Sequence, residues 1–344
     1  MSVGIVHAAG GFNPPESGGS AVKAWKGWSV GAGIAGLCLA GVLTVVTTAA
    51  AHNRPAQAAV VGCRSLDPWA EAGLGTHVSA TAVLGSTSAT LEGTVVDALF
   101  TRGLGFSTLT IRNGDVTVRS GPVDVPAGWE DPSATILPDD IVRQPAPSPD
   151  GRDSMVPLCL ARFAGSDHPV VLMGLFTGGA HCCTVLRAYP IERNVSGAGI
   201  DLQIGNPGVD VRSDGDRAIV VTADDVFNYE FNAYAFSGVP IKVLELRKGS
   251  VADSTRRHAD LVRTDAAQWW KSFDDDPAQG LGFLAAWVAD QCLLDKGPSA
   301  WATIDGLLAQ GKLAGPPDNG GLWPAGPDYV ANLHRFLPEH GYCK

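Results

Sequence analysis

The stretch Thr177-Gly178-Gly179-Ala180-His181-Cys182-Cys183 joins two apolar runs, residues 169–176 and 184–189, and its reading decides the fold. Both runs are short, rich in Val and Leu and bounded by turn residues, which is the pattern of largely buried strands. Gly178 and Gly179 are expected to supply the turn between them. The same stretch carries adjacent thiols beside a histidine, so it is also the first place to look for chemistry.

Outward from this hairpin the β pattern continues in both directions. Strands are predicted at 155–163 before it and at 200–204, 218–222, 229–236 and 242–246 after it, with Asp/Gly-rich joints at Asp210 to Asp216 and at Asp224-Asp225. Earlier, 78–84, 89–96, 107–112 and 116–119 read as strands, the last two joined by the hairpin turn Asn113-Gly114-Asp115. A Pro-rich connection separates the two groups.

After Lys248 the period changes. Val262, Ala266, Trp269, Trp270 and Phe273 share one helical face within 256–273, and 281–294 is apolar almost all round. Ser299 is expected to cap a third helix over 300–310, and 328–337 forms a fourth with Tyr329, Leu333, Phe336 and Leu337 inward. The expected class is therefore α+β: an antiparallel β-rich domain, built as a sandwich or as propeller-like units, followed by a small C-terminal helical bundle. Residues 59–121 make a first β-unit, 122–150 the connection, 151–248 the second β-unit and 249–344 the helical region.

Residues 1–58 stand apart. Residues 28–51 carry no charge, Lys23 and Lys26 precede them, and Arg54 follows. That charge order puts the rest of the chain on the outer side of a membrane. Ala56-Gln57-Ala58 is a small-x-small triplet suited to cleavage before Ala59, which reads the segment as a signal peptide. The apolar run exceeds the roughly 7 to 15 residues of an ordinary signal core, which reads it as an anchor. Both readings make the protein extracytoplasmic, and membrane contact is expected only through this segment if it stays uncleaved.

Cysteine usage points the same way. Of the seven cysteines, Cys38 lies in the apolar run, leaving Cys63, Cys159, Cys182, Cys183, Cys292 and Cys343. An even set in an exported chain reads as disulfides. Cys292 and Cys343 both belong to the helical region and are expected to pair. For the other four, two arrangements are open. Cys182 and Cys183 can reach Cys159 and Cys63 from opposite faces of a strand, or they can bond to each other while Cys63 bonds to Cys159. The chain is acidic, with a formal net charge of −10, and has no basic run beyond residue 58, which excludes nucleic acid as a partner class.

The TGGAHCC core, the run Asp224-Asp225-Val226-Phe227-Asn228-Tyr229 and the later Ser237-Gly238-Val239-Pro240-Ile241 resemble a family of exported bacterial proteins of unassigned activity that carry degenerate Asp-rich β-repeats similar to the FG-GAP type. Arg247-Lys248-Gly249, Asp253-Ser254-Thr255-Arg256 and Arg263-Thr264-Asp265-Ala266 fit the same pattern. The resemblance implies export and a repeated β-fold rather than a reaction. One departure stands out: where such repeats carry an Asp-x-Asp-Gly-Asp-Gly calcium loop, this chain has Arg162-Phe163-Ala164-Gly165-Ser166-Asp167-His168-Pro169, too poor in oxygen ligands for calcium.

Three candidate chemistries follow from the residues. A Cys182 or Cys183 thiolate with His181 as base would make a nucleophile, and a site at the Gly178 to Cys183 turn using Asp224 or Asp225 as base would make a hydrolase. Adjacent strand residues face opposite sides, however, and exported cysteines are oxidised more often than catalytic, so a structural role for the pair is preferred. Asp210, Asp214 and Asp216 alternate around Gly215 and offer calcium a set of oxygen ligands; a solvated turn is the competing reading. No other cofactor is implied, since no P-loop, dinucleotide fingerprint, His-Glu-x-x-His or Gly-x-Ser-x-Gly occurs. The expectation is an extracytoplasmic, disulfide-stabilised binding or surface module.

Overall fold

The computed structural model describes residues 60–64, 72–98, 101–124, 137–138, 158–179, 182–191, 199–247, 250–315 and 322–343. The N-terminal apolar run lies outside these residues; none of the described helices is long and apolar enough to cross a membrane.

Strand β1 (Val61–Arg64) is followed by a meander of β2 (His77–Leu84), β3 (Thr87–Ala98), β4 (Thr101–Asn113) and β5 (Val116–Pro122). Next come β6 (Leu137–Pro138), β7 (Leu158–Ala161), β8 (Val170–Gly179), β9 (Cys182–Pro190) and β10 (Ile200–Gly205). A third group is β11 (Asp210–Asp214), β12 (Arg217–Ala223), β13 (Ile241–Arg247) and β14 (Ser250–Asp253), and the helices are α1 (Ala259–Asp275), α2 (Leu281–Leu293), α3 (Gly297–Ala309) and α4 (Gly326–Glu339). The strands form three antiparallel sheets, β2-β3-β4-β5, β1-β7-β8-β9-β10 with β6 beside β8, and β11-β12-β13-β14. The α+β class is as the sequence reads.

The sheets are layered, and the layering follows from residue alternation. On one face of the middle sheet Leu158, Leu160, Val171, Met173, Leu175 and Val185 pack against Ala80, Leu91, Leu109 and Ile111 of the first sheet. On the other face Cys159, Ala161, Val170, Leu172, Leu186 and Ala188 pack against Val211, Ala218, Val220, Leu244 and Leu246 of the third. Successive side chains of a strand point to opposite faces, so a strand covered on both sides must be apolar at every position. That is why Val170 to Phe176 of β8 is apolar throughout. The first sheet has one covered face, and Thr81 and Thr90 pair their hydroxyls at 2.8 Å on the other.

Several sequence expectations need correction. Gly178 and Gly179 are not the turn: both belong to β8, and Gly179 pairs with Cys182 beyond an irregularity in the ladder. Residues 229–236 are not a strand. Phe227 and Phe231 lie four apart and enter the helical core, where Phe227 meets the rings of Phe336 and Tyr342 edge-on at 5.0 and 5.3 Å. Between them Tyr229 takes a left-handed φ of 63°, its N–H donating to Ser237 Oγ and its carbonyl accepting from Trp323 Nε1. Helical packing of two phenylalanines outweighs the β propensity of the run. The third helix begins at Gly297 with Pro298 in its first turn, so Ser299 is inside the helix and is not its cap.

The helical core gathers Phe273, Leu284, Val288, Ile304, Tyr329, Leu333, Phe336 and Leu337. Trp270 packs on Trp287, and Trp269 stacks on Phe283 with its Nε1 donating to Asp265, so both tryptophans serve the packing of α1 on α2. Gly282 lets the 236–238 backbone lie directly on α2, since a Cβ there would collide with the Phe236 carbonyl. Two disulfides are present among the described residues: Cys63–Cys159 and Cys292–Cys343, closing separations of 96 and 51 residues. Cys63 and Cys159 are directly opposite each other on β1 and β7.

Candidate functional site

The residues singled out in the sequence are dispersed by the fold. Ala180 and His181 lie outside the described residues, as do the side chains of Cys182 and Cys183. The Cys63–Cys159 bond belongs to the arrangement in which Cys182 and Cys183 are left to each other.

Asp210, Asp214 and Asp216 are not brought together as ligands. Asp210 and Asp214 sit at opposite ends of β11, and Gly215, at φ 61°, makes the tight turn into β12. Each carboxylate faces a different base: Arg212 at 3.6 Å from Asp210, Arg217 at 3.5 Å from Asp216, and His258 at 3.7 Å from Asp214. Among the described residues no group of three or more His, Cys, Asp or Glu side chains is arranged to hold a metal ion.

Asp224 and Asp225 are both occupied. Tyr342 donates its hydroxyl to Asp224 at 2.8 Å, and Lys242 lies 3.2 Å from the other oxygen. Asp225 accepts from the Asn206 N–H at 2.9 Å and from Asn228 Nδ2 at 2.6 Å, and it fills the space over Gly205. These bonds fasten β12 to the chain terminus and to the end of β10.

A different constellation does converge. On β13, Leu244 and Leu246 face the middle sheet, so Glu245 must point to the opposite side. There its Oε2 accepts from Arg247 Nε and Nη2 at 3.0 and 2.8 Å, and its Oε1 lies 2.7 Å from Arg257 Nη2. Burial pushes the Glu245 carboxyl up, but the two guanidiniums outweigh it and hold the group below its ordinary value. His258 completes the cluster, with Nε2 3.9 Å from Glu245 and Nδ1 3.7 Å from Asp214.

Local chemistry positions the last two residues. Asp253 accepts from both the N–H and the hydroxyl of Thr255, the turn that an aspartate makes with the backbone two residues on. The Thr255 oxygen in turn accepts from the Val243 N–H at 2.9 Å. The single 3₁₀ turn Thr255–Arg257 is thus pinned to β13, which sets Arg257 and His258 over Glu245. His258 precedes α1 and its Nε2 is buried without a hydrogen-bond partner. Arg247 and Arg257 are about half exposed, at 48% and 52% of their side chains, so guanidinium N–H groups face solvent around a neutralised carboxylate.

Sequence reasoning passed over this cluster because its partners come from β11, β13 and the start of α1. His258 has no ligand at helical spacing, and no spacing rule links it to Asp214 or Glu245. The one visible signal was a glutamate inside the apolar run 243–246.

Comparison with known proteins bears on the helical part. Residues 262–341, which run from α1 to the end of α4, match the family described as the sll0997 C-terminal domain. The chain is 31% identical over 170 residues to the probable thylakoid lumen protein sll0997 of Synechocystis sp. (strain ATCC 27184 / PCC 6803 / Kazusa), covering 45% of this chain and 50% of that protein. It is 27% identical over 146 residues to the uncharacterized protein y4bJ of Sinorhizobium fredii (strain NBRC 101917 / NGR234), covering 40% of this chain and 22% of that protein. The chain therefore spans half or less of the length of these curated relatives. No solved structure matches.

Proposed function

We propose that this chain is an extracytoplasmic, disulfide-stabilised binding module, exported by its N-terminal segment and released by cleavage before Ala59. The observation that carries this reading is the pair of disulfides Cys63–Cys159 and Cys292–Cys343, one in the β-layers and one in the helical region. Such bonds persist in oxidising compartments and not in the cytosol. The likeness to a probable thylakoid lumen protein supports the same side of a membrane. Three consecutive antiparallel sheets stacked face to face support an FG-GAP-like, blade-by-blade reading of the β-region.

Cell fractionation followed by thiol titration of the denatured protein tests the compartment. Recovery outside the cytoplasm with Cys63, Cys159, Cys292 and Cys343 oxidised is the expected result. A folded cytoplasmic pool with those four thiols free overturns it. N-terminal sequencing starting at Ala59 supports release, whereas retention in membranes with residues 1–58 intact supports the anchor.

Ligand contact is assigned to the Glu245–His258 cluster. Its outward guanidiniums suit a carboxylate or phosphate, the groups that arginine meets in two-pronged geometry. Titration with inorganic phosphate and with acetate, read as a rise in Tm, tests this assignment. The rise is expected in the native chain and absent in Arg257→Ala; no response to either anion limits the cluster to a structural role.

A further inference from the structure

Among the described residues, one wholly buried acidic side chain has no hydrogen-bond partner. Asp290 lies on α2, a helix buried almost all round, and its side chain is completely inaccessible. Neither carboxylate oxygen has a hydrogen-bond partner. An ionised carboxylate in such a place, stripped of water and given no donor, is strongly disfavoured. The neighbour across the helix interface is another acid, Asp265 on α1. Asp265 is already supplied with donors, since its Oδ2 accepts from the Ile241 N–H and from Trp269 Nε1, both at 2.8 Å. A negative charge is therefore at home on Asp265, and a proton on Asp290 is the only donor available to join the two carboxyls.

Among the described residues no donor reaches the Asp290 carboxyl oxygens. The Tyr342 hydroxyl lies within electrostatic reach of Asp290, and it already donates to Asp224. The nearby cations are committed elsewhere. Lys242 on β13 pairs with Asp224, and Arg256 spends its guanidinium on the carbonyls of Cys292, Leu293 and Tyr342 and on Asp295. Burial first, and then the charge of Asp265, hold the Asp290 carboxyl well above the ordinary carboxylate range.

We propose that Asp290 and Asp265 share one proton across the α1–α2 interface, and that this proton is a latch whose loss loosens the helical region. The link runs from α2 through Asp290 to Asp265 on α1, and from Asp265 to the first residue of β13. Losing the proton sets the wholly buried Asp290 carboxylate against that of the partly buried Asp265, at the point where the bundle meets the third sheet.

The direction of the pH effect is fixed by linkage. An unfolded aspartate releases its proton near about 3.9. The folded chain keeps the Asp290 proton above that point, so over the interval up to the raised value the folded state binds more protons than the unfolded one. Stability contributed by this group is full at acid pH and falls as pH rises through the interval. This is the opposite of the ordinary surface carboxylate paired with a base.

Thermal unfolding of the full chain from acid to alkaline pH, native and Asp290→Asn, tests the latch. The asparagine keeps a donor for Asp265 but cannot ionise. The native chain is expected to lose Tm as pH rises, while D290N loses most of that slope and melts above the native chain at the alkaline end. Equal slopes in the two proteins overturn the proposal, as does a flat native profile. If D290N fails to fold, Asp265→Asn serves instead: burial of Asp290 remains, but the repelling charge and the partner for the shared proton are gone, so the slope is expected to shrink; an unchanged slope in D265N counts against the latch. Infrared spectroscopy supplies an independent readout. A protonated carboxylic acid band that persists above the pH at which the surface carboxylates ionise is expected in the native protein and not in D290N, and its absence from the native protein refutes the shared proton.

Discussion

The middle sheet and the seam between the third sheet and the helices solve opposite problems. In the middle sheet, β7 and β8 carry apolar side chains on both faces, and the one buried charge of β9, Arg187, is matched by the Asp201 carboxylate at 2.5 and 2.7 Å and by the Asp124 carbonyl. At the seam, one group is over-supplied and another is starved. Glu245 receives two guanidiniums, while Asp290 receives none and faces an acid. Packing alone makes a layer stable but inert to pH and solutes. Charges held at an interface by partners from several elements give the seam the means to respond.

The largest effects should come from the inert region. Leu172 is fully buried between the middle and third sheets, and Leu172→Ala is expected to cost about 2 to 5 kcal/mol, read by denaturant unfolding, with little change in its dependence on pH. Next is the Cys292–Cys343 bond. Replacing both cysteines by serine should cost about 2 to 4 kcal/mol, because the closed segment of 51 residues regains freedom in the unfolded chain. A loss from C292S/C343S larger than that from L172A would reverse the ranking of the two regions.

The fold was legible where one rule dominated. Continuous apolar runs such as Val170 to Phe176 identified the buried strands, and the 3.6-residue spacing of Tyr329, Leu333 and Phe336 identified α4 with the inward face the structure has. Legibility failed where tertiary packing outvoted local preference. Phe231 reads as part of a strand over 229–236, yet with Phe227 it anchors the helical core, and nothing local announces that the helices wait for the two rings. Asp224 and Asp225 read as candidate bases, and their engagement depends on Tyr342 and Asn206, distant in sequence. The Glu245 cluster was invisible for the same reason: its chemistry exists only after β11, β13 and the start of α1 are assembled.

Glu245 sharpens the comparison by its sign. Its carboxyl is held below the ordinary value, so the stability it contributes is present above the unfolded value of about 4.3 and is lost as pH falls toward the depressed one. Glu245→Gln is expected to cost about 1.5 kcal/mol at neutral pH, the scale of hydrogen bonds to charged groups, and less in acid. The seam would then hold two groups of one chemical kind with opposite responses, Asp290 favouring acid and Glu245 favouring neutrality. If E245Q destabilises equally at all pH values, the cluster acts through packing and not through charge.

The smallest effect concerns the Asp/Gly turn between β11 and β12. Calcium needs six to eight oxygens converging at 2.3 to 2.6 Å, several of them anionic. Here the carboxylates of Asp210 and Asp216 answer to Arg212 and Arg217, and Asp214 leans toward His258. Opposite charges at those distances already meet the electrostatic need that a cation would fill, and a strand of five residues keeps the first two aspartates apart. Chelation with EDTA is therefore expected to leave Tm unchanged, and Asp214→Asn to cost under about 0.5 kcal/mol, as for exposed pairs. A clear fall in Tm with EDTA, restored by calcium and abolished in D214N, would make this turn a metal-supported element of the seam and remove it from the solvated surface.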